Sequence, residues 1–260
     1  GITDMFIERN YDPFDIYIGV SNGALVLYWY LIRESDNNLD KMLYAASGDY
    51  FSYKNIFNGK DIFNVHQMYK DSEKIFKPNV EKIKNNLNEK KYISVVTDAV
   101  EANAEYFSFE DKEWTQKMIA SGTLPILVRT PSLINGRRKF DGGITDPLPV
   151  EKAYEMGAKK IIVIRTYEKK FRRKLKPENY IGALFSRKYP KLKKALLEHD
   201  KTYNRALEFI NNPPDDCEIV QLCPPEKLKS KRDSKNIEIL KADYKIGKRV
   251  AEEYLNGLEK

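Results

Sequence analysis

Apolar residues recur along the first 166 positions with two different periods, and the changes of period mark the elements. Ile2, Met5, Phe6 and Arg9 fall at helical spacing and predict a helix over residues 2–9, which Asp12-Pro13 ends. Asp15-Ile16-Tyr17-Ile18-Gly19-Val20 reads as a short strand. The run from Asn22 to Ile32 is apolar on nearly every side, the pattern of a helix buried against a sheet. Residues 92–97 and 104–109 read as strands around a polar turn, and residues 112–121 as a helix. A strand closing at Phe140-Asp141-Gly142-Gly143 has Ser132-Leu133-Ile134 as its expected partner. Pro149 opens a helix carrying Val150, Ala153 and Tyr154, and Gly157 caps it. Ile161-Ile162-Val163-Ile164, bounded by charges, has the pattern of a strand buried on both faces. This alternation predicts an α/β sheet with parallel members.

Beyond residue 166 the pattern turns mainly helical. Leu192, Ala195, Leu196, Tyr203, Ala206, Leu207 and Ile210 follow Pro190 at helical spacing, and a last helix carries Ile237, Leu240, Tyr244, Gly247, Ala251, Tyr254 and Leu258. No repeat or low-complexity linker interrupts the chain. The expected organisation is an α/β core over residues 1–166 with a helix-rich extension, residues 167–260, packed on it.

Composition narrows the function classes. No apolar run reaches the roughly 18 residues of a membrane-spanning helix, and Gly1-Ile2-Thr3-Asp4 is not a secretory signal. The missing initiator Met implies that upstream sequence precedes Gly1. Cys217 and Cys223 have neither zinc nor disulfide-framework spacing, so they read as reduced packing residues in a cytoplasmic, reducing setting. The net charge is +7, densest in the run from Lys169 to Lys176. A solvated loop is one reading of that run; peripheral contact with an anionic membrane is the other. Nucleic acid is not an expected partner, because no binding motif accompanies the charge. Oligomeric state is left open.

The candidate chemistry lies in Gly19-Val20-Ser21-Asn22-Gly23, a G-x-S-x-G sequence with a strand before it and a helix after it. Its glycines are expected to remove Cβ atoms where strand and helix meet, and Ser21 then projects at a helix N-terminus. The backbone N–H of Asn22 is a candidate oxyanion donor. An activated serine needs a base. His66 lies in an aromatic segment expected to be mobile. His199 would complete the order Ser21, Asp141, His199, yet it falls in a regular helical pattern and reads as an exposed helical histidine. Asp141, on a tight Asp-Gly-Gly turn at a strand end, is the better base.

The elbow with Asp141-Gly142-Gly143, 120 positions later, resembles the patatin-like phospholipase family. Ala120-Ser121-Gly122-Thr123-Leu124-Pro125, Asp146-Pro147-Leu148-Pro149-Val150 and the stretch from Gly157 to Ile164 extend the resemblance, as do Pro224-Pro225 and the closing helix. It implies a mostly parallel sheet flanked by helices on both faces and a Ser21–Asp141 dyad without histidine. It also implies an acyl-enzyme on the path to ester cleavage, with no metal or organic cofactor and an acyl lipid or similar ester as substrate. The alternatives are a soluble carboxylesterase or acyltransferase with the same dyad, or a non-catalytic lipid-binding module. The segment from Tyr50 to Phe76, with Phe51, Tyr53, Ile56, Phe57, Ile62, Phe63, Met68 and Tyr69, reads either as an acyl pocket or lid or as plain packing. Two departures stand out. Asn22 replaces the family's small residue, and no Gly-Gly-Gly-x-Arg-Gly oxyanion loop occurs in the sequence, so upstream residues are expected to supply it.

Overall fold

A computed structural model describes residues 1–33, 37–56, 58–125, 127–128 and 131–259. Phe57 and the side chain of Ile56 lie outside the described residues. The helix α1 (Ile2–Glu8) leads to the strand β1 (Ile16–Val20), and α2 (Asn22–Ile32) follows at once. Three helices, α3 (Asn37–Ser47), α4 (Val65–Phe76) and α5 (Val80–Leu87), precede β2 (Lys91–Asp98). After β3 (Ala104–Ser108) and α6 (Trp114–Ala120) come β4 (Ser132–Ile134) and β5 (Arg137–Asp141). The chain continues through α7 (Val150–Glu155), β6 (Lys160–Ile164), α8 (Pro177–Phe185), α9 (Pro190–Leu197), α10 (His199–Asn211), β7 (Glu218–Leu222) and α11 (Ile237–Leu258).

β2 organises the five-stranded sheet. One of its edges carries β3, antiparallel, with Ile93 to Thr97 opposite Ser108 to Ala104. The other edge is shared by two strands set end to end. β1 runs parallel to β2 and finishes with Val20 opposite Val95, while β5 runs antiparallel and finishes with Asp141 opposite Val96. Each residue of β2 can be paired on two sides only, so the C-terminal ends of β1 and β5 must converge at Val95–Val96. A buried ion cluster at the far end of β5 holds this register. Lys139 Nζ lies 2.7 Å from both Asp98 of β2 and Glu105 of β3, and Arg137 lies 2.9 Å from Asp98.

The α/β architecture agrees with the sequence expectation, but the sheet is mixed rather than mostly parallel. Among the described residues only β1–β2 and the separate pair β6–β7 are parallel; β2–β5 is antiparallel, and so are β2–β3 and β4–β5, whose connections are too short for a crossover. Side-chain alternation assigns helices to both faces. Tyr92 packs with α2 and Trp114 of α6, and Val96 with Ala120 of α6. On the opposite face, Phe140 clusters with Ala183 of α8 and with Leu192 and Leu196 of α9.

Most of α2 is sequestered. Tyr28, Trp29, Tyr30, Leu31 and Ile32 are all buried, and Tyr28 and Tyr92 each contact the ring of Trp114. A hydrogen bond from the Tyr92 hydroxyl to the Ala24 carbonyl ties the start of α2 to the sheet. The last helix returns to the first. Tyr244 donates to buried Asp4 at 2.9 Å, and Asn38 donates to the other carboxylate oxygen at 3.0 Å.

Three further expectations change. β6 is not buried on both faces: Val163 is covered, but Ile164 is 43% exposed, because β6 belongs to a two-stranded sheet. Its partner β7 was not anticipated; Ile219-Val220 between polar residues carries too short a signal. β6 and β7 are joined by a connection that carries α8, α9 and α10. The stretch following Pro190 divides at Glu198 into α9 and α10.

Candidate active site

The elbow forms where β1 leaves the sheet. Ser21 adopts φ 55° and ψ −130°, a conformation that costs a non-glycine residue on the order of 1–3 kcal/mol and persists only when its surroundings impose it. Two contacts impose it. A Cβ on Gly19 would stand 2.4 Å from Ala24 Cα, so glycine alone lets the strand pass the helix start this closely. Second, the Ser21 backbone N–H donates to the hydroxyl of fully buried Ser121 at 2.8 Å. The second motif glycine is different from what was expected: nothing lies within 4 Å of a Cβ placed on Gly23, so packing does not demand it.

Asp141 arrives at the same point from β5. Its backbone N–H donates to Thr123 O at 2.9 Å and its carbonyl accepts from Thr97 Oγ1 at 2.8 Å, which fix the strand end. A Cβ on Gly142 would lie 2.2 Å from Val95 O, so the chain turns directly over β2 only because that residue is glycine. The Gly143 N–H donates to Asp141 Oδ1 at 2.8 Å and aims the carboxylate. The other oxygen, Oδ2, accepts the Ser21 hydroxyl at 2.7 Å. Asp141 is 3% exposed, and burial pushes its pKa up to about 6 against the opposing hydrogen bonds from Ser21 and Gly143 and the more distant charges of Arg232 and Arg173.

Asn22 is exposed at the first position of α2, where backbone N–H groups have no partner within the helix. His66 lies on the exposed side of α4, within a regular helix. His199 is not the exposed helical histidine expected from its spacing. It sits half-buried at the α9–α10 junction, with Nδ1 3.2 Å from Asn179 Nδ2 and its ring beside the Gly143 backbone. Desolvation lowers its pKa to about 4, with nearby Arg173 acting in the same direction, so the ring is neutral at pH 7. Among the described residues no hydrogen bond joins it to Ser21 or Asp141.

Ser121 and Thr97, the residues that hold the two turns, were not assigned roles from sequence. Ser121 carried a signal as part of the Ala120–Pro125 stretch that extends the family resemblance, but without a role. In the aromatic segment, Ile62, Val65 and Met68 pack with Leu127 and Val128, with Leu25, Phe51, Phe63 and Leu124 at the border. Cys217 and Cys223 are free thiols.

The five-stranded sheet and the meeting of the elbow with Asp141 lie in a region that matches a family model described as Patatin-like phospholipase, over residues 6–154. That is more than half of the chain, and the chain belongs to the patatin-like phospholipase family, whose members act on lipid esters. Residues 189–260 match a further model, described as a Domain of unknown function (DUF6363). The chain is also similar to the Uncharacterized protein YjjU of Escherichia coli (strain K12), 24% identical over 256 residues that cover 95% of this chain and 70% of that protein.

Proposed function

We propose that the protein is a lipid acyl hydrolase of the phospholipase or lysophospholipase type, cleaving carboxylic esters through Ser21 and Asp141. The observation that carries this reading is the 2.7 Å hydrogen bond from the Ser21 hydroxyl to a buried carboxylate, at a strained turn ahead of a helix. Ser21 Oγ attacks the ester carbonyl carbon while Asp141 takes its proton. The developing oxyanion lies against the Asn22 N–H, where the helix terminus favours negative charge. Collapse expels the alcohol, which takes the proton from Asp141, and leaves the acyl group on Ser21. Water, deprotonated by Asp141, then releases the fatty acid and restores the serine. With a pKa near 6 Asp141 is a stronger base than an ordinary carboxylate, yet still ionised at pH 7.

Leu25, one turn past Ser21, borders the apolar cluster of Ile62, Val65 and Met68, and we assign the acyl chain to that side of the site. These steps require neither metal nor organic cofactor. Labelling with a fluorophosphonate probe, together with turnover of p-nitrophenyl esters and phospholipids, tests the reading. Labelling at Ser21 and ester turnover that vanish in Ser21→Ala are expected. Turnover surviving in Ser21→Ala rejects the site, and an unlabelled wild-type chain favours a lipid-binding module without chemistry.

A further inference from the structure

α8 is packed inside out. Its small residues Gly182 and Ala183 face the protein, where a Cβ on Gly182 would come 3.7 Å from Leu196 of α9. Its large apolar residues face water instead: Tyr180 is 57% exposed, Ile181 41%, Leu184 51% and Phe185 52%. With 100° between successive residues these four occupy one continuous side of the helix. A folded surface scatters exposed apolar groups singly, so a contiguous stripe marks a contact.

Charge says with what. The segment leading into α8 alternates: Phe171, Arg173 and Leu175 turn partly inward, Phe171 stacking on Tyr167 at 4.0 Å, while Arg172, Lys174 and Lys176 face solvent. Exposed Arg187 and Lys188 follow the helix at its other end. Glu178 is the one acidic residue between 172 and 188, and among the described residues none of these five exposed cations has a carboxylate partner. An apolar stripe bracketed by unpaired cations is complementary to an anionic lipid surface, with acyl chains below and phosphates around. A second copy docked face to face would set these cations against one another. No helix among the described residues is long and apolar enough to cross a membrane, so the contact is interfacial.

The inner side of α8 is linked to the dyad. Asn179, on the inner side of α8, meets His199, whose ring lies beside the Gly143 backbone, and Gly143 holds Asp141. We infer that α8, with Arg172, Lys174, Lys176, Arg187 and Lys188, is the element by which the protein rests on an anionic bilayer, presenting the Ser21–Asp141 pair to it. The purpose of this docking rests on the hydrolase reading; the docking itself rests on the surface alone.

The test uses the full chain carrying Ser21→Ala, so that vesicles stay intact, and measures co-sedimentation with vesicles of phosphatidylcholine alone or mixed equally with phosphatidylglycerol. Binding to the mixed vesicles is expected to exceed that to phosphatidylcholine by about tenfold or more. It should fall by a similar factor both in Ile181→Asp/Leu184→Asp and in Lys174→Glu/Lys176→Glu. In the otherwise wild-type chain the same double variants should keep turnover of p-nitrophenyl acetate, a substrate that needs no bilayer. Equal binding to both vesicle types, or full binding by the aspartate pair, overturns the inference. So does a dimer in sedimentation velocity that the aspartate pair dissociates, which would assign the stripe to a second copy. Vesicle binding without any ester turnover would sink the hydrolase reading and leave the docking surface standing.

Discussion

The α2 helix and the α8 helix treat large apolar side chains in opposite ways. In α2 every side chain from Tyr28 to Ile32 is buried, and the helix packs against the sheet. In α8 the small residues are buried and the large ones are left in water. Both helices are apolar in sequence. What separates them is position: α2 is enclosed by β2, α5, α6 and α1, whereas α8 has α9 on one side. Apolar burial is therefore concentrated in the C-terminal half of α2 and its neighbours, while α8 leaves apolar area in water.

Substitutions should expose that division. The largest effect is expected at the dyad, where Ser21→Ala and Asp141→Asn each lower kcat by roughly 10³-fold or more in a p-nitrophenyl ester assay. His199→Ala should change kcat only a few-fold; the reverse pattern would replace the dyad with a triad. Next come the close approaches. Gly142→Ala forces a Cβ against the Val95 carbonyl and should cost about 3 kcal/mol, read as a lower midpoint in urea unfolding. Gly23→Ala, with open space around it, should cost far less.

Asp141 makes stability and activity oppose one another. Its folded pKa of about 6 lies above the ordinary 3.8, so the native state binds more protons than the unfolded chain between those values. The contribution of this carboxyl to stability is therefore largest at low pH and is lost as pH rises through 6, by about 3 kcal/mol if the whole shift is expressed. Activity runs the other way, since the base must be ionised: kcat/KM should rise through pH 6 and level off above it. Asp141→Asn, which removes the buried charge and keeps the shape, should raise the pH 7.5 midpoint of thermal unfolding while abolishing turnover.

Smaller effects close the comparison. Ser121→Ala removes the hydroxyl that holds the Ser21 N–H and should lower kcat about tenfold, with KM little changed. Leu184→Asp, on the water-facing side of α8, should alter stability by no more than about 0.5 kcal/mol in the same urea experiment. A loss like that at Gly142 would mean that the stripe is covered by the protein itself.

Much of the site is local chemistry and was legible. A strand, a glycine, a serine, and a helix too apolar to stand in water specify an elbow within about 18 residues, from Asp15 to Ile32. Asp-Gly-Gly at a strand end likewise announces a tight turn. His199 misled because its helical spacing is genuine, yet α10 starts at that residue, and burial at a helix junction depends on what packs there. Gly23 misled in the opposite sense: its place in the motif suggested a packing need that its surroundings do not impose. The inversion of α8 was invisible for a related reason, since its period is the same whichever side faces the protein.

The sequence by itself determined the two turns and the residue types that stand on them, because each turn depends on φ/ψ preferences and contacts a few residues apart. Only the tertiary structure decided that the turns meet. Ser21 and Asp141 are joined because β1 and β5 end head to head on one edge of β2. That arrangement depends on a register held by Lys139, Asp98 and Glu105 from three strands. Burial of the carboxylate, which sets its basicity, follows from the same convergence, and no spacing along the chain records it.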